Sequence, residues 1–228
     1  MSKVVGVIGG MGPAATVEYL ARLVRATPAE RDSDHLHVLV DSDPAIPSRA
    51  DAILHGGPDP APRLRAIARG LEHSGAEVLA MPCNTAHAYL ESVREAVAIS
   101  VLDMLAEAAD CVNADCVGLL ATEAAIRAGL YQKVLGARGI AAVVPRVADQ
   151  AEITRLIAAV KAGQALEELR ARLRRVTAHL RDEGASGLLV GCTEISLLRD
   201  EGEALPVVDA LDCLVEATVR EARAGGTR

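Results

Sequence analysis

The sequence predicts an α/β protein with mainly parallel sheets, built twice to one plan. Short β-branched runs alternate with longer stretches of helical periodicity, which is the pattern of successive β-α units. The order of elements in the first half recurs in the second, although few residues match between the halves. The loops richest in reactive and hydrogen-bonding side chains all follow strands, and parallel sheets bind ligands beyond the carboxyl ends of their strands.

Lys3–Ile8 reads as the first strand, followed by a glycine-rich turn and a helix over about Ala14–Arg25. His37–Val40 is a second strand. A helix over Pro62–His73 leads to strand Glu77–Met81, with Pro82 at the strand end, where its missing donor costs little. A helix over Ala86–Val97, a short strand near Ile99–Leu102 and a helix to about Val112 complete the first half. The cycle restarts at strand Cys116–Leu120 and continues with one helix over 122–137 that ends at Gly139, a C-cap candidate. Strand Ile140–Val144, helices over about Asp149–Val160 and Leu166–Glu183, strand Leu188–Gly191, strand Pro206–Val208 and helix Ala210–Arg223 follow. The last five residues, Ala-Gly-Gly-Thr-Arg, are expected to fray.

With 228 residues, half of them hydrophobic, the chain can bury a sizeable core. There is no Trp or Phe and there are three Tyr, so that core must be aliphatic. A formal charge of −7 argues against general nucleic-acid binding but not against a small anionic ligand held by a local cation. The N-terminal apolar stretch is short and glycine-interrupted, unlike a signal peptide or a membrane anchor, so a cytoplasmic location is expected. Five cysteines without a Cys-x-x-Cys pair fit neither a disulfide framework nor a structural zinc site. Cys111, Cys116 and Cys213 read as small buried hydrophobes.

Two cysteines stand apart. Cys83 lies in Met-Pro-Cys-Asn-Thr-Ala-His (81–87) and Cys192 in Val-Gly-Cys-Thr-Glu (190–194), each after an apolar strand and before a helix-like pattern. Such a position sets a thiol beside backbone N–H groups and a helix dipole, which lower its pKa. Asn84 and Thr85 can cap the following helix or donate to a ligand, and His87 falls one helical turn after Cys83. Glu194 is the polar partner beside Cys192. Two thiols in matched settings point to an acid/base pair. Either string by itself also fits a buried cysteine before a capped helix. The loop Gly9-Gly10-Met11-Gly12-Pro13 departs from the dinucleotide fingerprint, and Pro13 intrudes on it; it reads as a tight turn or as a carboxylate-binding helix start. Arg49, after a loop stiffened by Pro44 and Pro47, suits bidentate carboxylate binding. Lys161 is one of three lysines in an arginine-rich chain and sits at a helix end.

Taken together, Gly-Gly-Met-Gly-Pro (9–13), Ile-Pro-Ser-Arg (46–49), Met-Pro-Cys-Asn-Thr-Ala-His (81–87), Gly-Leu-Leu-Ala-Thr (118–122), Val-Lys-Ala-Gly (160–163) and Gly-Cys-Thr-Glu (191–194) resemble the aspartate/glutamate racemase family, and its aspartate racemase branch most closely. Glutamate racemases usually carry His at the position of Glu194. The resemblance implies two pseudo-symmetric α/β domains, 1–102 with 209–228 and 103–208, with the active site in the cleft between them. It also implies a homodimer that needs neither pyridoxal phosphate nor a metal. By position, Cys83 and Cys192 would be the catalytic bases, Arg49 and Lys161 would hold carboxylates, and Met11, Asn84, Thr85, Thr122 and Thr193 would line the pocket, with His87 and Glu194 in support. The sequence departs from the family at Glu123-Ala124-Ala125, where relatives often have Gly-Thr, at the acidic Asp41-Ser42-Asp43, and at Asp209-Ala210, where relatives often have Asp-Pro.

The function expected is therefore racemisation of an acidic amino acid, aspartate first, by proton abstraction on one face and delivery on the other. Within the family, the alternatives are glutamate, a broader range of amino acids, hydantoins, or decarboxylation and cis–trans isomerisation with one cysteine. Outside it, they are a cysteine hydrolase using Cys83 with His87 and an amino-acid-binding protein without catalysis.

Overall fold

The computed structural model describes residues 2–199 and 203–224. Among the described residues, eight strands form two four-stranded parallel sheets. The first half contains β1 (Val5–Gly9), α1 (Pro13–Ala26), β2 (Val38–Ser42), α2 (Arg49–His55), α3 (Ala61–His73), β3 (Val78–Ala80), α4 (Leu90–Arg94) and β4 (Ser100–Val101). Next come α5 (Met104–Asp110), β5 (Cys116–Ala121), α6 (Glu123–Arg127), α7 (Leu130–Gly136), β6 (Ala141–Val143), α8 (Val147–Lys161) and α9 (Leu166–Asp182). The chain ends with β7 (Gly187–Gly191), α10 (Thr193–Ser196), β8 (Val207–Asp209) and α11 (Ala210–Ala224).

The first sheet has the order β2-β1-β3-β4 and the second β6-β5-β7-β8. These are the same topology, with β1 equivalent to β5 and β3 to β7. The duplication expected from element order is therefore one of topology. The chain divides into two compact units, Met1–Met104 with Leu211–Arg228, and Leu105–Ala210. It leaves the first unit in the first turn of α5 and returns at the start of α11.

Each unit has its own core. In the first, Ile8, Leu64, Ile67, Leu79 and Met81 pack together under α3. In the second, Leu120, Ile153, Leu156, Leu173 and Leu188 pack under α8 and α9. Both cores are aliphatic, as the composition requires, although Tyr19 and Tyr131 are fully buried. The Tyr19 hydroxyl is paired with Thr218 Oγ1 at 2.7 Å, which satisfies the polar end of the ring.

Three sequence expectations change. The segment 122–137 is two helices, because Gly129 takes a left-handed φ of 65° and interrupts the ladder between α6 and α7. The segment 86–97 is a 3-10 turn, Thr85–Tyr89, followed by the short α4. Cys213 is buried, but Cys111 is exposed and Cys116 half-buried. Cys111 lies in the turn just beyond α5, and Cys116 is the first residue of β5, so neither reaches the layer that the sheet interior packs. Among the described residues, no helix is long and apolar enough to cross a membrane.

Candidate active site

Each sheet has one position where the strand order reverses: between β1 and β3 in the first unit, and between β5 and β7 in the second. The crevice beyond the carboxyl ends of such a strand pair is the usual ligand site of an open α/β sheet. Cys83 comes just after β3 and Cys192 directly after β7. The two thiols therefore occupy topologically equivalent places.

In the first unit, Cys83 is buried and belongs to the same apolar cluster as Met11 and Ile46. Met11 is carried by the tight loop after β1. Gly10 has a φ of 89°, and a Cβ there would collide with the Asp43 backbone, so the loops after β1 and β2 are in direct contact. Gly10 N–H donates to Thr16 Oγ1 at 2.9 Å, which fixes that loop on α1. Asp43 accepts from Arg63 Nε at 2.6 Å and from Ala45 N–H at 2.8 Å, so part of the acidic stretch at the end of β2 is neutralised by its own surroundings.

Arg49 begins α2, which is capped by Ser48. Its Nη1 donates back to the carbonyls of Ile46 (3.2 Å) and Pro47 (3.0 Å), while Nε is buried without a protein acceptor. Asn84 and Thr85 are buried beside Cys83, but Asn84 makes no capping bond to the turn that follows.

His87 is 6 % exposed. Its Nδ1 bonds the Cys83 carbonyl oxygen at 2.9 Å, and Met104 N–H donates to its Nε2 at 3.1 Å. The amide can only donate, so Nε2 accepts and the ring proton lies on Nδ1. Burial holds the ring below the ordinary histidine pKa. The carbonyls of Cys83 and Leu102 and the Asp103 carboxylate favour the charged ring but do not overcome burial, and Arg94 adds to the lowering. Both nitrogens are committed to the backbone, so His87 is not paired with the Cys83 thiol. That removes the geometry a Cys83/His87 hydrolase would use.

In the second unit, Cys192 Sγ donates to Glu194 Oε2 at 3.2 Å, and Thr193 Oγ1 donates to the same oxygen at 3.3 Å. Lys161 Nζ lies 3.6 Å from Glu194 Oε1. Cys192, Thr193, Glu194 and Lys161 therefore form one cluster. The sequence expectation of a lowered thiol pKa fails at Cys192. Burial pushes the thiol well up, and the charge and hydrogen bond of Glu194 push it further. The N–H groups of Glu194 and Ile195 pull the other way and lose. The dipole of α10, a single turn, cannot offset desolvation and a neighbouring carboxylate.

Thr122 caps α6, with Ala125 N–H donating to its Oγ1 at 3.1 Å. Glu123, the departure from the family pattern, forms an i,i+4 pair with Arg127 on the surface of α6. Its carboxylate thus has a partner on its own helix.

Two polar residues near these strand ends, Gln150 and Ser196, carry no sequence motif. Gln150 Nε2 donates to the Ala121 carbonyl at the end of β5 (3.1 Å), and its Oε1 is buried without a protein donor. Ser196 Oγ donates to the buried Asp209 at 2.7 Å, and Arg199 Nη1 to the same carboxylate at 2.9 Å. The available signal was that of polar residues within otherwise apolar helical or strand patterns. Among the described residues, no three His, Cys, Asp or Glu side chains are arranged to hold a metal ion.

The family model for Asp/Glu/hydantoin racemases matches residues 8–218. The broad-specificity amino-acid racemase RacX of Bacillus subtilis is 28% identical over 225 residues, covering 94% of this chain and 96% of RacX. The aspartate racemase of Picrophilus torridus superposes with a TM-score of 0.87 at 31% identity, covering 99% of this chain and 95% of that one. A glutamate racemase from Francisella tularensis shares the fold, with a TM-score of 0.68 at 17% identity over 95% of this chain and 79% of that one. The chain belongs to the Asp/Glu/hydantoin racemase family and is an amino-acid racemase.

Proposed function

We propose that the protein interconverts the enantiomers of aspartate by a two-base reaction in which Cys83 and Cys192 exchange one proton each with the substrate α-carbon. The observation that supports this most strongly is the equivalence of the two thiols, each at the strand-order reversal of its own sheet. A two-base reaction requires the thiols to address opposite faces of one carbon.

Cys192 is the resting acid, because Glu194 stabilises its S–H and opposes its thiolate. The forward cycle therefore begins with Cys83 as thiolate. Its sulfur takes the α-proton, the C–H electron pair is left on the α-carbon, and Cys192 returns a proton from the other side. The products are the opposite enantiomer, a Cys83 thiol and a Cys192 thiolate. Beside Glu194 that thiolate is unfavourable, so either it recovers a proton from solvent while the Cys83 thiol gives one up, which resets the pair, or the reverse reaction runs.

Carbanion formation next to a carboxylate is the difficult step, and cations or N–H donors aimed at that carboxylate lower its barrier. Arg49, whose buried Nε lacks a protein acceptor, and Lys161 supply the cations of this reading. In the same reading, Met11, Asn84 and Thr85 of the first unit and Thr122 and Thr193 of the second supply the remaining substrate contacts.

The aspartate assignment draws on the Picrophilus torridus relative and the branch-like Glu194. The RacX relative favours a second reading, a broader range of amino acids, with the same chemistry. Chiral chromatography of an amino-acid panel, incubated in heavy water without added cofactor, separates them. Racemisation of aspartate with one solvent deuterium at the α-carbon is expected. Turnover spread evenly over neutral amino acids overturns the substrate, and inversion without deuterium overturns the proton transfer.

A further inference from the structure

The residue four places after each thiol makes the same kind of connection in both units. After Cys83 it is His87, whose ring grips the Cys83 carbonyl at one end and the Met104 amide at the other. After Cys192 it is Ser196, whose N–H donates to the Cys192 carbonyl at 3.1 Å and whose hydroxyl donates to Asp209 at 2.7 Å. Met104 is the last residue before the chain passes into the second unit, and Asp209 lies one residue before Ala210, where the second unit ends. The two crossings are thus tied, one each, to the two thiol loops.

We propose that His87 and Ser196 are positioning residues that fasten the loops of Cys83 and Cys192 to the two points where the chain passes between its units. The local backbone at His87 supports a dedicated arrangement. In a continuous α-helix the His87 N–H would donate to the Cys83 carbonyl. Here that N–H donates to Asn84 O at 3.0 Å, and the imidazole takes the Cys83 carbonyl in its place, alongside Ala86 N–H at 3.2 Å. The side chain therefore substitutes for a helical bond and extends it to Met104. In the second unit Asp209 is anchored independently by Arg199, so the Ser196 hydroxyl meets a fixed acceptor. Both ties hold a thiol's own backbone, and a displacement of about 1 Å at a reacting group costs on the order of a hundredfold in rate.

This inference rests on the two-cysteine reading, and the test separates the two. The variants are His87→Gln, which keeps an acceptor for Met104 and loses the grip on Cys83, His87→Asn, which does the reverse, and Ser196→Ala. Each is assayed with α-deuterated L- and D-aspartate for the isotope effect on kcat/KM. Loosening Cys83 makes its proton transfer more rate-limiting. The isotope effect then rises for the enantiomer that Cys83 deprotonates and falls for the other. Ser196→Ala shifts the two effects in the opposite sense. A loss of folded protein would lower the rate and leave both isotope effects unchanged. Unchanged isotope effects in soluble, folded His87→Gln and Ser196→Ala, with Cys83→Ala inactive, overturn the positioning roles. Undiminished racemisation by Cys83→Ala overturns the two-cysteine reading, and the positioning roles with it.

Discussion

The thiol of Cys192 donates to the carboxylate of Glu194 at 3.2 Å, and Glu194 in turn faces the ammonium of Lys161 at 3.6 Å. This chain of contacts stores the proton on sulfur. A carboxylate beside a thiol favours S–H over thiolate both through charge and through the hydrogen bond it accepts. Replacing Glu194 by Gln removes the charge and leaves the burial. The pH at which Cys192 reacts with iodoacetamide should therefore move down. Mass spectrometry of alkylated peptides across a pH series checks this, and an unmoved Cys192 profile would refute the role given to Glu194.

Removing either thiol should separate exchange from inversion. With Cys192→Ala, the Cys83 thiolate can still remove and return a proton on its own face. That variant should wash solvent deuterium into one enantiomer without producing the other, and Cys83→Ala should do so for the opposite enantiomer. General acid–base groups of this kind contribute about 10²–10⁴-fold, so racemisation should fall by at least a hundredfold in each variant. NMR of the α-proton in heavy water reports both quantities. Exchange of both enantiomers by one variant would contradict a one-thiol-per-face assignment.

Much of this was legible in the sequence because it is local. Strands β1, β3 and β7 are apolar runs that end at glycine or at a thiol motif, and both thiols could be placed at strand ends from that pattern. The sign of the Cys192 shift was not legible. It depends on the Glu194 side chain turning back onto the sulfur and on full burial, and neither follows from spacing. The partners of His87 were not legible for the same reason. A separation of four residues brings a side chain near the thiol, but Met104, seventeen residues further on, claims its other nitrogen. Ser196 was invisible, since a serine in a one-turn helix carries no motif, and the contact it makes with Asp209 does not follow from spacing.

The neutral His87 ring gives the fold an acid-sensitive element. Its folded pKa is depressed by burial, so below the ordinary histidine range, about pH 6.5, the unfolded chain binds a proton that the folded chain refuses. Stability contributed by the neutral ring is present above that pH and is lost as the pH falls, with a slope of up to about 1.4 kcal/mol per pH unit for one proton. The carboxylate of Asp149 makes its own contribution at lower pH. Burial raises its pKa, but the hydrogen bonds of His179 and Arg146 outweigh that and hold it down, so its part of the stability is lost only nearer the carboxylate range. Urea unfolding at pH 7.5 and pH 5.5 should show a drop in the wild type that is reduced in His87→Gln. Equal drops in the two proteins would place the acid sensitivity elsewhere.

Lys161 separates binding from folding. Its side chain is 57% exposed and its contact with Glu194 is long. Pairs of that kind contribute roughly 0–1 kcal/mol to stability, so Lys161→Met should leave the thermal midpoint nearly unchanged. In the aspartate reading the same ammonium holds a substrate carboxylate. A charge-assisted hydrogen bond contributes about 1.5–3 kcal/mol, which corresponds to roughly tenfold to a hundredfold in KM. Removing the cation also leaves the charge of Glu194 less compensated, so the Cys192 thiol should become harder to ionise and kcat should fall as well. Lys161→Arg keeps the charge and should restore part of both. Steady-state kinetics of the two variants, set beside their melting curves, reads all of this. A Lys161→Met protein with unchanged KM for aspartate would remove Lys161 from the substrate site and leave it as a surface partner of Glu194.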